Sequence, residues 1–257
     1  MKLGTAIAEI MKREGIEILC GYPVNHLIEH AANANIRPIM VRQERIGVHM
    51  ADAISRVTSG RSIGAFCMQH GPGAENAMGG VAQCYGESVP VLVLPMGYAR
   101  RISNIEPNFN SSQAMKAFAK STEPIILASE VANIFRRAFT KLKNGRGGPV
   151  IVEIPSDMWN EEVPEPLNYT PVLRTRYGAD PVHVKEAAAL LANAKRPVTM
   201  PARACITQKP GRSSDDWPSA SPSPSRPALA ANRPFRRRTR FHSAQAAWPC
   251  RARCRNS

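Results

Sequence analysis

The stretch MVRQERIGVHMADAISRVTSGRSIGAFCMQHGPGAEN, Met40–Asn76, decides the fold that we expect for this chain. It contains an apolar run, a helical segment that opens at Glu44, a second apolar run over Ser62–Cys67 and the glycine turn Gly71-Pro72-Gly73. Such a strand–helix–strand–turn–helix unit is typical of an open parallel sheet, in which ligands bind outside the carboxyl ends of the strands. Because the acid and the turn each follow a strand, the pattern places both at this edge.

The sequence on either side of this stretch continues the alternation of short apolar strands and helices. Strands are expected at 16–20, 36–41, 62–67, 89–95 and 149–154. Helices are expected at 3–13, 26–33 (with Asn25 as cap), 44–58, 74–85 and 130–142, and 97–111 is expected to be a loop. The alternation predicts an α/β fold with a mainly parallel sheet and helices on both faces.

The sequence patterns divide the chain into four expected parts. Residues 1–165 are expected to form the first domain, and residues 166–179 a linker, because 155–176 is polar and contains proline. Asp180 and Pro181 are a typical helix start, so residues 180–200 are expected to begin a second α/β domain. Residues 201–257 are expected to be a disordered basic tail.

The basic charge is concentrated in that tail. Of the 34 Lys and Arg residues, 12 lie in 200–257, which hold only two of the 20 acids. The net charge of +14 therefore falls to +4 over the first 199 residues, so the folded part shows no electrostatic signature of nucleic-acid binding.

Two interpretations of the tail stay open. One is a natural disordered segment. The other is a change of reading frame near residue 200, because codons allowed for the tail, read one base earlier, encode a glycine turn and an amphipathic helix that suit a strand ending at Val198. We favour the second interpretation, on which Arg236-Arg237-Arg238 is out-of-frame text and not a nucleic-acid patch, so nucleic acid is not an expected partner.

Composition argues against a membrane or secreted protein. No apolar run approaches the roughly 18 to 20 residues needed to span a bilayer, and the first residues, MKLGTAIAEIMKREG, lack the apolar core of a signal peptide. The six cysteines form no C-x-x-C pair, which favours reduced thiols. We therefore expect a cytoplasmic protein.

Several short motifs together resemble one enzyme family. They are Gly21-Tyr22-Pro23, Arg42-Gln43-Glu44, Ser55-Arg56, Gly71-Pro72-Gly73 with Asn76, Val89–Leu92 and Gly148–Pro155. Residues 1–199 resemble the N-terminal, pyrimidine-binding domain and the start of the central domain of thiamine-diphosphate-dependent enzymes of the acetolactate synthase type. The resemblance implies thiamine diphosphate as cofactor and a 2-oxo acid or acyl-CoA substrate for the parent enzyme, a lyase or transferase.

The resemblance gives Glu44 a catalytic role. In the family a buried carboxylate bonded to the pyrimidine ring nitrogen drives the tautomerisation that lets the cofactor's imino group remove the thiazolium C2 proton. The alternative is that Glu44 is an acid favoured at a helix N-terminus by the helix dipole.

The same resemblance assigns the other site residues. Tyr22, Pro23, Gln69, Gly73 and Asn76 are expected to contact the cofactor along with Glu44. His70 and Gln113 are expected to face the substrate, although a solvated or capping histidine is an equally simple explanation of His70.

The family's Mg²⁺ and diphosphate are held by an acidic G-D-G motif and a later Asn, and this sequence contains no such motif. No metal ligand is therefore assigned. Family members also build each site from two subunits, so a homodimer or pairing with a full-length relative is expected. Two hypotheses follow: an inactive fragment of such an enzyme, truncated by the frame change, or a non-catalytic partner protein whose basic tail binds nucleic acid.

Overall fold

The fold is built from short strands that alternate with helices, as the sequence predicts. A computed structural model describes residues 1–175 and 177–196 of this protein. The strands are β1 (Ile18–Gly21), β2 (Arg37–Met40), β3 (Gly64–Met68), β4 (Val91–Gly97), β5 (Ser121–Thr122), β6 (Val150–Ile151) and β7 (Ile154–Pro155). The helices are α1 (Leu3–Arg13), α2 (Leu27–Asn33), α3 (Glu44–Val57), α4 (Pro72–Gly86), α5 (Ser111–Ala114), α6 (Val131–Lys143) and α7 (Pro181–Asn193).

The seven strands form one sheet in the order β2-β1-β3-β4-β6-β5, with β7 paired to β4. Every pairing between these strands is parallel. The expected mainly parallel α/β fold is therefore confirmed. The chain leaves β1 towards β2 on one side and returns to place β3 on the other side, which makes the gap between β1 and β3 a topological switch point.

Alternate strand residues enter two separate hydrophobic cores, one on each face of the sheet. Leu19, Ala65 and Leu92 pack with α1, α2 and α6, whereas Cys20, Phe66 and Val93 pack with α3 and α4. Since successive side chains of a strand point to opposite faces, a sheet buried on both faces needs the continuous apolar runs that the sequence shows.

Element boundaries differ from the predictions by a few residues. Helix α4 begins at Pro72, because proline suits the first helical position. Helix α2 begins at Leu27 with His26 as its N-cap, although Asn25 Oδ1 still accepts a hydrogen bond from the Leu27 N–H at 3.0 Å. The expected strand at 149–154 is divided into β6 and β7, while residues 98–110 contain no helix or strand, as expected.

The segment that follows β7 packs partly on the first domain. Leu167 and Tyr169, in the expected linker, belong to the core that also holds α1 and α6. Helix α7 starts as predicted, with Asp180 Oδ1 accepting from the Val182 N–H at 2.8 Å, and none of its residues is buried. Residues 197–200, the end of the segment expected to begin a second domain, and the basic tail lie outside the described residues. Among the residues that the structure describes, no helix is long and apolar enough to span a bilayer.

Candidate functional site

The predicted site residues gather at the carboxyl ends of β1, β2 and β3. Tyr22 and Pro23 follow β1, Glu44 comes four residues after β2 ends, and Gln69 follows β3. The turn after β1 is tied to the end of β3, because the Tyr22 N–H donates to the Cys67 carbonyl at 3.1 Å. The fold therefore brings these turns to the switch point, where open parallel sheets bind ligands.

Glu44 is the first residue of α3, and it is only 5% exposed. The Asn76 Nδ2 amide, in the second turn of α4, donates a hydrogen bond to Glu44 Oε2. Because a buried carboxylate is costly without a donor, this contact fixes the side chain at the edge of the sheet. Glu44 and Asn76, both predicted as site residues, are in direct contact.

Gly73 lets the start of α4 pass close to this carboxylate. A Cβ atom at this position would lie 3.3 Å from Glu44 Oε1 and 2.6 Å from the Gln69 Cγ. A side chain would therefore clash with Gln69 and crowd Glu44, so the close packing requires glycine. A buried carboxylate beside a backbone turn has the chemistry to hold a ring nitrogen, such as that of the pyrimidine of thiamine diphosphate.

His70 lies against Tyr98, the residue that follows β4. The two ring centroids are 4.4 Å apart with the planes tilted by 56°. His70 Nδ1 is buried without a hydrogen-bond partner among the described residues. Gly71 has φ 57°, and a Cβ there would lie 2.7 Å from the Tyr98 Oη. Tyr98 thus covers the His70–Gly71 turn.

The remaining predicted residues make no contact with Glu44 or Asn76 that defines their role. Tyr22 is half-buried against the core of α3 and α4, whereas Pro23 is exposed. Gln113 lies in α5 with its side chain exposed, and its backbone N–H donates to Asn110 Oδ1 at 2.9 Å. Their expected contacts with cofactor and substrate stay predictions.

Two residues of this edge were not predicted as site residues. Tyr98 directly follows a predicted strand, so the rule that ligands bind beyond strand carboxyl ends would have found it. Asn25 is buried, and its Nδ2 donates to the Met68 carbonyl at 2.8 Å and the Leu94 carbonyl at 3.3 Å. No sequence pattern signals these two bonds, because they depend on the pairing of β1, β3 and β4.

The thiols near the site are structural. Burial raises the pKa of Cys20 to about 11 and holds the pKa of Cys67 above its ordinary value. Both thiols therefore stay protonated and unreactive at neutral pH. No group of three His, Cys, Asp or Glu side chains in the described part of the chain is arranged to hold a metal ion.

Comparison with known proteins shows which proteins this chain is similar to. Residues 1–120 match the family model described as "Thiamine pyrophosphate enzyme, N-terminal TPP binding domain". The chain is 29% identical over 212 residues to the probable acetolactate synthase large subunit of Methanocaldococcus jannaschii, covering 78% of this chain and 35% of that protein.

A bacterial relative gives the same result. The chain is 28% identical over 216 residues to the acetolactate synthase large subunit of Haemophilus influenzae, covering 78% of this chain and 37% of the relative. The chain thus spans little more than a third of the length of these relatives. Its N-terminal part belongs to the family of N-terminal TPP binding domains of thiamine pyrophosphate enzymes, of the type found in acetolactate synthase large subunits.

Proposed function

We propose that this chain binds thiamine diphosphate through the crevice between the turns at 22–25 and 69–73. The observation that carries the proposal is the buried Glu44 carboxylate at the switch point, which accepts a hydrogen bond from Asn76 beside the Gly73 backbone. Glu44 Oε1 would hold a proton shared with the pyrimidine ring nitrogen. Asn76 keeps the carboxylate in place.

Thiamine diphosphate, when bound, supplies the carbon nucleophile that attacks a 2-oxo acid. The chain's own residues would orient and protonate the pyrimidine. Glu44 would donate and accept the proton, the Gly73 backbone would approach the ring, and Tyr22, Pro23 and Gln69 would contact its edges. His70 and Gln113 would face a 2-oxo acid or an acyl-CoA.

The relatives are acetolactate synthase large subunits, and we infer that the parent of this chain is a carboligase or decarboxylase of that kind. The sequence contains no G-D-G motif to hold Mg²⁺ and the diphosphate. We therefore expect weak binding of thiamine diphosphate and no turnover by the isolated chain. Detection of acetolactate formed from pyruvate by the purified chain would contradict this expectation.

Binding is tested by nuclear magnetic resonance titration of the ¹⁵N-labelled chain with thiamine diphosphate and Mg²⁺. We expect the Glu44, Gly73 and Asn76 amide signals to shift at millimolar cofactor, and Glu44→Gln to weaken binding at least tenfold, because the amide holds no transferable proton. The matched control is Glu75→Gln, which changes an exposed acid in the first turn of α4. Equal affinity of Glu44→Gln and Glu75→Gln for thiamine diphosphate would contradict the role of Glu44.

The proposal extends to a partner, either a second copy or a full-length relative. Helix α3, which begins at Glu44, carries apolar side chains on its outer face at Ile46 (48% exposed) and Val57 (80% exposed). These positions are 11 residues apart, so they lie on one side of the helix. We propose that this side of α3 packs on the partner, which would remove both apolar side chains from water.

Sedimentation velocity tests the interface. We expect the chain to form a dimer and Val57→Lys to make it monomeric, because a charge would be buried in the contact. Leu190→Lys on α7 is the control, since Leu190 is equally apolar and 75% exposed. A dimer that survives Val57→Lys would exclude this face.

A second candidate function comes from the charge of the tail. Twelve Lys and Arg residues in 200–257 favour a non-catalytic partner protein whose tail binds nucleic acid. Its affinity for DNA would fall steeply with salt. DNA binding that persists unchanged after removal of residues 201–257 would contradict this candidate.

A further inference from the structure

The positive charge of the first 199 residues is concentrated in one segment. Residues 115–146 hold seven Lys and Arg residues and only two acids, Glu123 and Glu130, a net charge of +5. The rest of the first 199 residues holds 15 basic and 16 acidic groups, a net charge of −1. Since the surfaces of soluble proteins normally mix both signs of charge, this segment differs from its surroundings.

Helix α6 presents the centre of this segment to solvent. Its inner face packs into the core through residues that include Phe135 and Phe139. Its outer face, spaced by three and four residues, consists of Asn133, Arg136, Arg137, Thr140 and Lys141. Together with Glu130, these side chains line a concavity of about 450 Å³.

The Arg136 guanidinium is held in a fixed position on this face. Its Nη1 donates to Asn133 Oδ1 at 2.7 Å, and its Nη2 donates to the Asn168 carbonyl at 3.1 Å. The guanidinium carbon lies 5.7 Å from the centre of the Tyr169 ring. An arginine fixed in this way loses little freedom when it binds a carboxylate.

Glu123 sets the spacing of the next two cations. Its carboxylate is 8% exposed and accepts hydrogen bonds from Arg137 Nε at 3.0 Å and from Lys141 Nζ at 3.3 Å. Because one buried acid faces two cations that are each about half exposed, the pair keeps a positive charge that points to solvent.

Further cations extend the surface past the end of α6. Lys120 Nζ donates to the carbonyls of Lys141 and Asn144, which places the ammonium beside the last turn of the helix. Among the described residues, four of the seven cations form no ion pair: Lys116, Lys120, Arg136 and Arg146. The segment therefore has positive charge that no acid of the described chain neutralises.

We propose that the outer face of α6 and the adjoining Lys120 form a docking surface for an acidic segment of a partner protein. A surface of one sign attracts a chain of the opposite sign, and the arginines can each hold a carboxylate through two hydrogen bonds. The surface adjoins β5, three strands beyond β3 in the sheet. The inference therefore does not rest on the binding of thiamine diphosphate.

The shape and composition of the surface favour a protein over other anions. Residues 133–141 extend over about 12 Å of helix, so a single small anion would meet only some of the cations. The aromatic side chains of the segment, Phe118, Phe135 and Phe139, pack into the cores. They offer no platform on which nucleic-acid bases could stack.

Nuclear magnetic resonance titration of the ¹⁵N-labelled full chain with decaglutamate tests the proposal. We expect the amide signals of residues 120–123 and 131–143 to shift. Affinity is read from these signals alone, so binding to the basic tail does not enter it. It is expected to fall about tenfold as NaCl rises from about 0.05 M to about 0.3 M, because salt screens exposed charges.

The double variant Arg136→Gln with Lys141→Gln is expected to bind decaglutamate roughly tenfold more weakly, since each exposed ion pair changes affinity by up to about fivefold. The single variant Arg136→Gln, which leaves Glu123 paired, is expected to lose about threefold. Lys185→Gln, at an exposed position of α7, is the matched control and should bind as the unchanged chain does. The spectrum of each variant without peptide shows whether it is folded.

Two results would overturn the proposal. One is that decaglutamate shifts only signals outside residues 115–146, or binds Arg136→Gln as tightly as it binds the unchanged chain. The other comes from a DNA duplex of about ten base pairs used as a competing probe. If the duplex binds at the α6 signals more tightly than decaglutamate does, the surface takes nucleic acid and not an acidic protein segment.

Discussion

At the scale of single residues, the contact between Glu44 and Asn76 joins two positions that are 32 residues apart. We predict that Asn76→Ala lowers the free energy of unfolding by about 1–3 kcal/mol, because the buried carboxylate loses its hydrogen-bond donor. Urea unfolding followed by circular dichroism measures the loss. The control Asn133→Ala, on the exposed face of α6, is expected to change stability by no more than about 0.5 kcal/mol.

Glu44→Gln should behave differently from Asn76→Ala. The amide oxygen of the new glutamine still accepts a hydrogen bond from Asn76, and the substitution removes a buried charge. We expect its unfolding midpoint to equal or exceed that of the unchanged chain, while cofactor binding is lost. A large loss of stability in Glu44→Gln would show that the carboxylate serves the fold and not the ligand.

A second residue-scale prediction concerns His30, which packs beside the first turn of α1. Burial, followed by the charges of His26 and Lys2, lowers the pKa of His30 from its ordinary value of 6.5, while Glu29 raises it. The folded state therefore binds this proton more weakly than the unfolded state does. Stability from the neutral ring is fully present above pH 6.5 and is lost as the pH falls through the lower pKa of the folded state.

The measurement is the unfolding midpoint in urea between pH 7.5 and 4.5. His30→Asn is expected to reduce the slope of stability against pH in this window. His183→Asn, in the exposed helix α7, is expected to leave that slope unchanged. A steeper slope in His30→Asn than in the unchanged chain would contradict the assigned direction.

The sequence predicted the centre of the site better than its rim. Glu44 and Asn76 were predicted as site residues from the resemblance of their motifs to an enzyme family, and the fold brings them into contact. Asn25 was predicted only as a helix cap, and its bonds to Met68 and Leu94 come from strand pairing far away in sequence. Local patterns carry no information on such long-range contacts.

At the scale of elements, the close approach of α3 to β3 depends on glycine. A Cβ atom at Gly64, the first residue of β3, would lie 1.8 Å from the Ala51 carbonyl oxygen in α3. Since this neighbour is backbone, it moves only if the helix moves. We predict that Gly64→Ala lowers the free energy of unfolding by about 3 kcal/mol, at the upper end of overpacking effects.

Gly86→Ala is the matched control for Gly64→Ala. Gly86 ends α4, and a Cβ there would meet nothing within 4 Å. It is expected to raise stability by about 0.5 kcal/mol, because alanine loses less backbone entropy on folding. Thermal unfolding of the two variants in parallel measures both effects. Equal changes in melting temperature for the two variants would contradict the packing argument.

Long periodic elements were predictable, and short ones were not. Helices α1, α3 and α6 bury apolar faces that recur every three or four residues, so the pattern alone defines them. Strand β5 and helix α5 have two and four residues. Elements this short have no measurable period, and neighbouring elements determine their conformation.

At the scale of the whole molecule, the parallel arrangement of the strands followed from the alternation of elements, but the anchoring of the later chain did not. Glu14 caps the end of α1, Lys143 ends α6 and Tyr169 lies in the expected linker, and the three side chains meet in one buried cluster. Lys143 Nζ forms an ion pair with Glu14 Oε2, and the Tyr169 hydroxyl donates to Glu14 Oε1. The Val172 N–H also donates to Glu14 Oε1, at 2.9 Å.

This cluster holds the segment after β7 against the first domain. Burial raises the pKa of Tyr169 above its ordinary value, with further contributions from its hydrogen bond and the charge of Glu14. The phenol therefore stays a donor throughout the neutral and mildly alkaline range. The Lys143 ammonium also donates to the Val172 carbonyl at 3.0 Å, so both partners of the ion pair form hydrogen bonds with the same segment.

We predict that Glu14→Ala lowers the free energy of unfolding by about 3–5 kcal/mol, because it leaves Lys143 without its buried counter-charge. The double variant Glu14→Gln with Lys143→Met removes both charges and keeps an acceptor for Tyr169, so it should recover most of the loss. Urea unfolding measures the first effect, and limited proteolysis within 163–175 measures release of the segment. Cleavage there without any fall in global stability would show that the cluster anchors only the segment. Unchanged stability and unchanged cleavage would show that the other contacts of the segment, such as the packing of Leu167, hold it without the cluster.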